Sequence, residues 1–459
     1  MLFTRDLRVH DHPALAAAAR EAETIVPLFI LDDGILGGPS APPNRVAFLR
    51  DALVDLDRSL RRRGASLCVR RGDVVRETIA VARDARADAI LASADVSGYA
   101  RRREARLAAA AAAERVELRL YPGVTIVPPD ALTTTAGRFF SVFTAYHRRW
   151  RHEPRRAIER APTRLRVPRV RRGTLPAPAR LVDGTPSPDL PRGGEEPGRA
   201  RLTSWARSGL DRYGDLHDDL AADATSRLSP YLHFGCLSPL EVLERVEGKP
   251  GAEAFIRQLC WRDFFHQLLA ARPETSDVDM RARGDRWRAD DEALEAWKQG
   301  TTGYPIVDAG MRQLFREGFI HNRARLITAS FLAKDLYLDW RLGARHYFDL
   351  LVDGDVASNV GNWQWVAGTG ADTRPNRVFN PIRQARRFDP TGDYVRRYVT
   401  ELSEVAGSAV HEPWKLGRRR PAAYPEPIVD HGEAAARFLQ ARRRAAVRPT
   451  AERPPQDGR

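Results

Sequence analysis

Short apolar runs alternate with segments of helical period over the first third of the chain, the pattern of a parallel α/β sheet covered on both faces. Strands are expected over residues 25–31, 67–70, 89–92 and 116–121. Between them, Val46, Leu49, Leu53, Leu56 and Leu60 recur at helical spacing, and residues 99–117 read as an Ala- and Arg-rich helix with an apolar stripe. Only Leu2 and Phe3 precede TRDLRVHDHPAL, whereas a central strand needs about five residues, so the start of translation is expected upstream. From residue 151 to 200 prolines recur too often for regular structure, and this stretch is expected to wrap the surface or to be partly mobile. Beyond residue 201 the strand signal vanishes and long amphipathic helical runs take over. The pattern predicts an α/β doubly wound parallel-sheet domain at 1–130, a Pro/Arg-rich interdomain linker at 131–200, an all-α domain at 201–440 and a disordered tail at 441–459.

Length and composition narrow the class. The 459 residues exceed the roughly 150 expected of one domain and allow a sizeable buried site. No run reaches about 18 apolar residues and no leader pattern opens the chain, so a cytoplasmic protein without a membrane span is expected. Cys68, Cys236 and Cys260 stand singly, with no CxxC and no Cys/His spacing, so neither a disulfide nor a metal site is expected. The phosphate-loop, dinucleotide-fingerprint and hydrolase-elbow motifs are absent; Gly368 and Gly370 alone do not make one. Lys and Arg number 74 against 60 Asp and Glu, which suits a polyanion such as DNA. The same Arg, Ala, Gly and Pro richness follows equally from a GC-rich genome.

Three segments concentrate the chemistry. In TSRLSPYLHFG, residues 225–235, Ser229 reads as an N-cap with Pro230 at the first helical position, and free amides beside hydroxyls and a guanidinium suit a phosphate; capping and ligand binding both explain it. In IRQLCWRDFFHQLL, Gln258, Trp261, Arg262 and Phe265 share a helical face, and burying Gln and Arg there costs several kcal/mol unless something pairs with them. Residues 303–340 read as two helices broken near Gly318, with Asn322, Arg325 and Ala329 on one side of the second and Arg323 on the other. DGDVASNVGNWQW, residues 353–365, reads as a turn-rich loop. Polar groups packed among aromatics in this way suit a large flat ligand with a polar rim.

TSRLSPYL, CWRDFF, GYPIVDAGMRQL, HNRAR, DGD, NWQW and FNP, with FTRDLRVHD at the N-terminus, occur in the order seen in class I photolyases and related cryptochromes. The chain therefore resembles that family over residues 1 to about 435. The resemblance implies FAD in the all-α domain, with Tyr213, Thr225, Ser226, Arg227, Leu228 and Ser229 at its phosphates and ribityl chain. It places Gln258 and Arg262 along the adenine and flavin, Asn322 above the ring, Arg325 paired with Asp353, Asp355 on the ring and Asn359 facing flavin N5. It implies an electron chain of Trp363, Trp340 and Trp287, running outward. Trp261 and Trp365 match the walls that grip flipped bases; Arg323 and Arg377 match phosphate contacts, and for Arg383 a phosphate contact and a solvated charge stand level. The implied activity is that of a carbon–carbon lyase splitting cyclobutane pyrimidine dimers in UV-damaged DNA, in a monomer.

Departures from the family pattern bear on substrate and antenna. Gln258 stands where several dimer-specific members carry Glu, and Leu326 where they carry Met; Asn322 stands where enzymes for the (6-4) photoproduct place His. Folate users carry a Glu at the position of Ala100, whereas Asp95 matches an acid of deazaflavin-binding members, so a deazaflavin antenna is expected ahead of folate, another flavin or no antenna. The alternatives are a cryptochrome-type photoreceptor with the same FAD and Trp chain, or a photolyase for another DNA photoproduct.

Overall fold

The computed structural model describes residues 1–36, 42–177, 181 and 183–447. The chain divides into two compact units: Met1–Ser276 with Gln313–Ile320 and Tyr347–Val360, and Asp277–Arg312 with His321–His346 and the chain from Gly361 onward. The division falls within the helical region rather than at the proline-rich segment.

The first unit holds a parallel sheet of β1 (Leu2–Phe3), β2 (Leu28–Asp32), β3 (Cys68–Gly72), β4 (Ala89–Ser93) and β5 (Glu117–Tyr121), in the order β3-β2-β1-β4-β5. Leu2 pairs with Leu28 on one side and Ala92 on the other, so even a two-residue strand is central. Leu28, Ile30, Cys68, Ile79, Ile90 and Leu107 form the buried layer between sheet and helices. β2 starts at Leu28, not at 25, because Pro27 has no N–H to give the ladder. The Gly98–Ala113 helix starts where Ser97 Oγ accepts from Ala100 N and stops before the expected 117, as Arg115 turns left-handed (φ 58°) into β5.

The expected linker is shorter than 131–200. Phe143–Trp150 and Glu195–Ser208 are helices, and no helix or strand lies among the described residues between them. Backbone hydrogen bonds pin the intervening chain: Leu165 N to Arg63 O, Ile25 N to Arg166 O and Val69 N to Arg172 O. The tail boundary also moves. The His431–Val447 helix runs through residue 441, because Arg442 Nε donates to Asp285 Oδ1 at 2.6 Å and both side chains are buried; residues 448–459 lie outside the described residues. In this second unit Asp308 accepts from Thr302 N and Oγ1, Gly303 N and Tyr424 OH, fixing the turn that opens the Pro305–Glu317 helix.

The Ala252–Ala271 helix is held to the N-terminal part of the first unit by one buried acid. Asp263 Oδ2 accepts from Ile126 N, Val127 N and Trp150 Nε1 at 3.0, 3.0 and 2.9 Å. Burial pushes its carboxyl up from 3.8 to about 6, against the pull of Arg262 and these donors. A raised folded pKa stabilises below the unfolded value and loses that contribution as pH rises through the folded one. Asp263→Asn, which keeps an acceptor and removes the charge, should gain on the parent by on the order of 2–3 kcal/mol between pH 4 and pH 7, read by denaturant unfolding at each pH.

Candidate functional site

In the first unit the 223–229 segment is strained and tied down. Asp223 and Arg227 both have positive φ (46° and 51°), a conformation that costs a non-glycine residue about 1–2 kcal/mol and persists only where the surroundings enforce it. Arg227 donates to Asp223 Oδ1 and to Glu317 Oε2, each at 2.7 Å, and its guanidinium lies 4.9 Å from the Phe319 ring. Arg201 Nε holds the Ser226 carbonyl and Trp205 Nε1 that of Ala224. Thr225 Oγ1 is left buried with no hydrogen-bond partner. The expected N-cap is corrected: Ser229 is itself the first residue of a five-residue helix, Ser229–His233, and Leu228 at the cap makes no side-chain bond. Tyr213 is buried edge-on to Trp205 and Phe255.

A buried charge cluster lies in the same unit. Arg5 donates to Asp355 Oδ2 at 2.6 Å, to both oxygens of Asp95 at 3.3–3.4 Å and to the His233 carbonyl at 3.1 Å. Burial pushes the Asp355 carboxyl up, but His266, Arg5 and Arg262 outweigh it and hold the group well below the ordinary carboxylate range. Burial brings His266 down to about 4, with Asp355 opposing it; its Nε2 lies 3.5 Å from Asp355 Oδ2 without a hydrogen-bond partner. Arg262 donates to the carbonyls of Val124 and Leu232. Asp353 and Asn359 are buried, whereas Gln258 is exposed on its helix.

The expected turn-rich loop after DGD is a helix, Val356–Ala367. Asp355 caps it, its Oδ1 accepting from Ser358 N at 2.7 Å and its carbonyl from Asn359 N, and this offsets the poor helix propensity of Gly361. Asp355, Asn359 and Trp363 follow at intervals of four and so share one face.

In the second unit Trp363 and Trp340 are both buried, at 2% and 0% exposure, while Trp287 is only half-buried. Trp340 donates its indole N–H to Asp279 Oδ1 at 2.9 Å. Asn322 is exposed and Arg325 partly buried at the start of the Asn322–Ser330 helix, whose Arg323 guanidinium lies 4.2 Å from the Phe388 ring. Arg377 lies over Trp365 at 5.0 Å, and Arg383 is exposed. In the first unit, Trp261 stacks on Phe143 at 3.6 Å and 2°. Asp95, the expected antenna contact, is buried with its carboxylate on Arg5.

Residues 1–166 match the family model for DNA photolyase, and residues 255–444 that for the FAD binding domain of DNA photolyase. The chain is 54% identical to the deoxyribodipyrimidine photo-lyase of Streptomyces griseus, covering 96% of this chain and 98% of that one. The chain belongs to the DNA photolyase family. Among solved structures, the bacterial class III photolyase of Agrobacterium tumefaciens superposes with a TM-score of 0.90 at 33% identity, covering 97% of each chain. An archaeal photolyase from Sulfolobus tokodaii with two FAD molecules follows at 0.86 and 31%, covering 96% of this chain and 99% of that one.

The photolyase cofactor, FAD, fits the residues present. A buried polar atom without a partner costs about 1–3 kcal/mol, and Thr225 Oγ1 and His266 Nε2 are two such atoms that a polar ligand would complete. Gln258, Arg262, Asn322, Arg325, Asp353, Asp355 and Asn359 fall inside the matched FAD-binding domain; Tyr213 and residues 225–229 precede it. Among the described residues no group of His, Cys, Asp or Glu could hold a metal, and no helix is long and apolar enough to cross a membrane. Sequence reasoning missed Arg5, Phe143, His266, Trp297 and Glu317. Arg5 lies inside the quoted FTRDLRVHD, so an Arg that follows a strand was the available signal; the others carry none without their partners.

One glycine fixes the inner tryptophan. On the Trp340–Leu350 helix, a Cβ at Gly343 would lie 2.2 Å from Trp363 Cη2, and Trp363 already packs against Trp297 at 6.1 Å. Gly343→Ala should destabilise by about 1–3 kcal/mol through overpacking and alter the indole circular dichroism, measured by thermal melts and near-UV spectra.

Proposed function

We propose that this photolyase repairs cyclobutane pyrimidine dimers in DNA, driven by light. The observation that carries the reading is the 54% identity to a deoxyribodipyrimidine photo-lyase over 96% of this chain and 98% of that one. Bound and reduced, FAD supplies on illumination the electron that opens the cyclobutane ring and receives it back.

The chain's own residues do the rest. Asp355 and Asn359 present a fixed carboxylate and a neutral amide on one helical face, and an amide can both donate to and accept from a ring nitrogen whose protonation changes. Trp363, Trp340 and Trp287 are the residues that would relay an electron to a bound flavin. Trp261, backed by Phe143, and Trp365, capped by Arg377, are flat surfaces for unstacked bases. Arg323 and Arg377 contact phosphates, where planar guanidinium forks fit. Gln258 offers an amide where an acid would donate a stronger hydrogen bond to a dimer carrying an extra electron, so it binds the lesion and stabilises the charge less. For the antenna, the carboxyl ends of the strands, where Asp95 lies, suit a flat tricyclic deazaflavin; the second FAD of the Sulfolobus tokodaii relative is a ligand of the same shape.

Two measurements test the photochemistry and the DNA contact separately. Trp363→Phe should abolish photoreduction of oxidised flavin, followed by absorbance under blue light; a wild-type rate in that variant removes the proposed chain. Arg323→Ala should weaken binding to a thymine-dimer duplex and lower the slope of log affinity against log salt by about one, and an unchanged slope counts against the phosphate contact.

A further inference from the structure

Lys334 is a buried cation of the second unit with no part in the functions described so far. It is 2% exposed and sits in a π-helical turn, Phe331–Asp335, directly after the Asn322–Ser330 helix. The wider turn is closed by Leu336 N donating to Phe331 O at 2.9 Å. Such turns are rare and recur at functional sites.

The side chain is aimed at the backbone of the loop that carries Arg377. The ammonium donates to the Arg377 carbonyl at 2.5 Å and the Pro375 carbonyl at 3.3 Å, over the Phe438 ring at 5.4 Å. Two further features pin the same loop. Phe379 N donates to Ser330 Oγ at 3.3 Å, and the Pro375 carbonyl oxygen lies 2.2 Å from where Gly368 would carry a Cβ. On the loop itself the Arg377 guanidinium lies between two rings, 5.0 Å from Trp365 and 4.9 Å from Phe379.

Burying an ammonium is unfavourable unless its donors are met, and here backbone carbonyls meet it. Burial brings Lys334 down to about 7, with Arg442 and Arg377 adding to the effect and Asp372 and Asp335 opposing it. Methionine would fill the same volume without that cost, so what the ammonium contributes is its hold on the loop. We propose that Lys334 is a positioning residue for DNA: by holding the carbonyls of residues 375 and 377 it sets the Arg377 guanidinium on Trp365, in the pose that meets a phosphate beside an unstacked base. The inference rests on the reading of Arg377 as a phosphate contact.

The test is a double-mutant cycle on the FAD-loaded protein, using a fluorescent thymine-dimer duplex over a salt series. Arg377→Ala and Lys334→Met should each weaken binding by about ten-fold and lower the salt slope by about one. The double variant should bind no more weakly than either single one, and Lys334→Arg should restore most of the affinity. Flavin content and melting temperature report folding. Should Lys334→Met not fold, Ser330→Ala, which releases Phe379 N, takes its place with the same expected loss of slope. Wild-type affinity and slope in Lys334→Met, or losses that add in the double variant, overturn the proposal. If Arg377→Ala binds as the parent does, the phosphate contact itself fails, and the role of Lys334 falls with it.

Discussion

Arg5 is half-buried in the first unit among buried carboxylates, and a guanidinium there has to find carboxylates or carbonyls for its donors. It takes Asp95 just beyond β4, the His233 carbonyl and Asp355 ahead of the Val356–Ala367 helix. The link between Arg5 and Asp355 spans 350 positions of sequence and fixes where that helix begins. Because the helix repeats every 3.6 residues, fixing its cap fixes which side chains share a face: Asp355, Asn359 and Trp363. Asp355 and, one turn on, Asn359 are thus placed by one ion pair that starts just after the first strand.

How far the sequence revealed this depends on the range of the interactions. The parallel strands were legible because strands covered on both faces read as apolar runs, and the break near Gly318 because a glycine ends a helical period there, at φ 61°. The Val356–Ala367 helix was not, because Gly354, Asn359 and Gly361 are weak helix formers and what stabilises the helix start is a cap locked by a distant Arg. The end of the last helix failed in the same way, since Arg442 is buried through Asp285, 157 positions earlier. Ser229 shows the converse: the cap motif is locally well formed, yet the left-handed Arg227 moves the helix start by one residue.

The site residues were legible as types and not as contacts. Arg227 as a cation beside hydroxyls suggested a phosphate, and the structure adds that two carboxylates already hold it, so the segment is tied down before any ligand arrives. Asp95 suggested an antenna contact, and the structure adds its ion pair with Arg5. In both, a charged group singled out for a ligand also serves the fold, an economy expected where buried charge has to be paired whatever else it does.

The central claim is that this arrangement uses light to reverse a cyclobutane dimer. It is tested most directly by comparing illuminated and dark samples of the reduced, FAD-loaded protein with a thymine-dimer oligonucleotide and counting dimers lost. The account predicts loss of the dimer under blue light with multiple turnovers and none in the dark. An undiminished dimer under light, with flavin reduced and DNA bound, would contradict it.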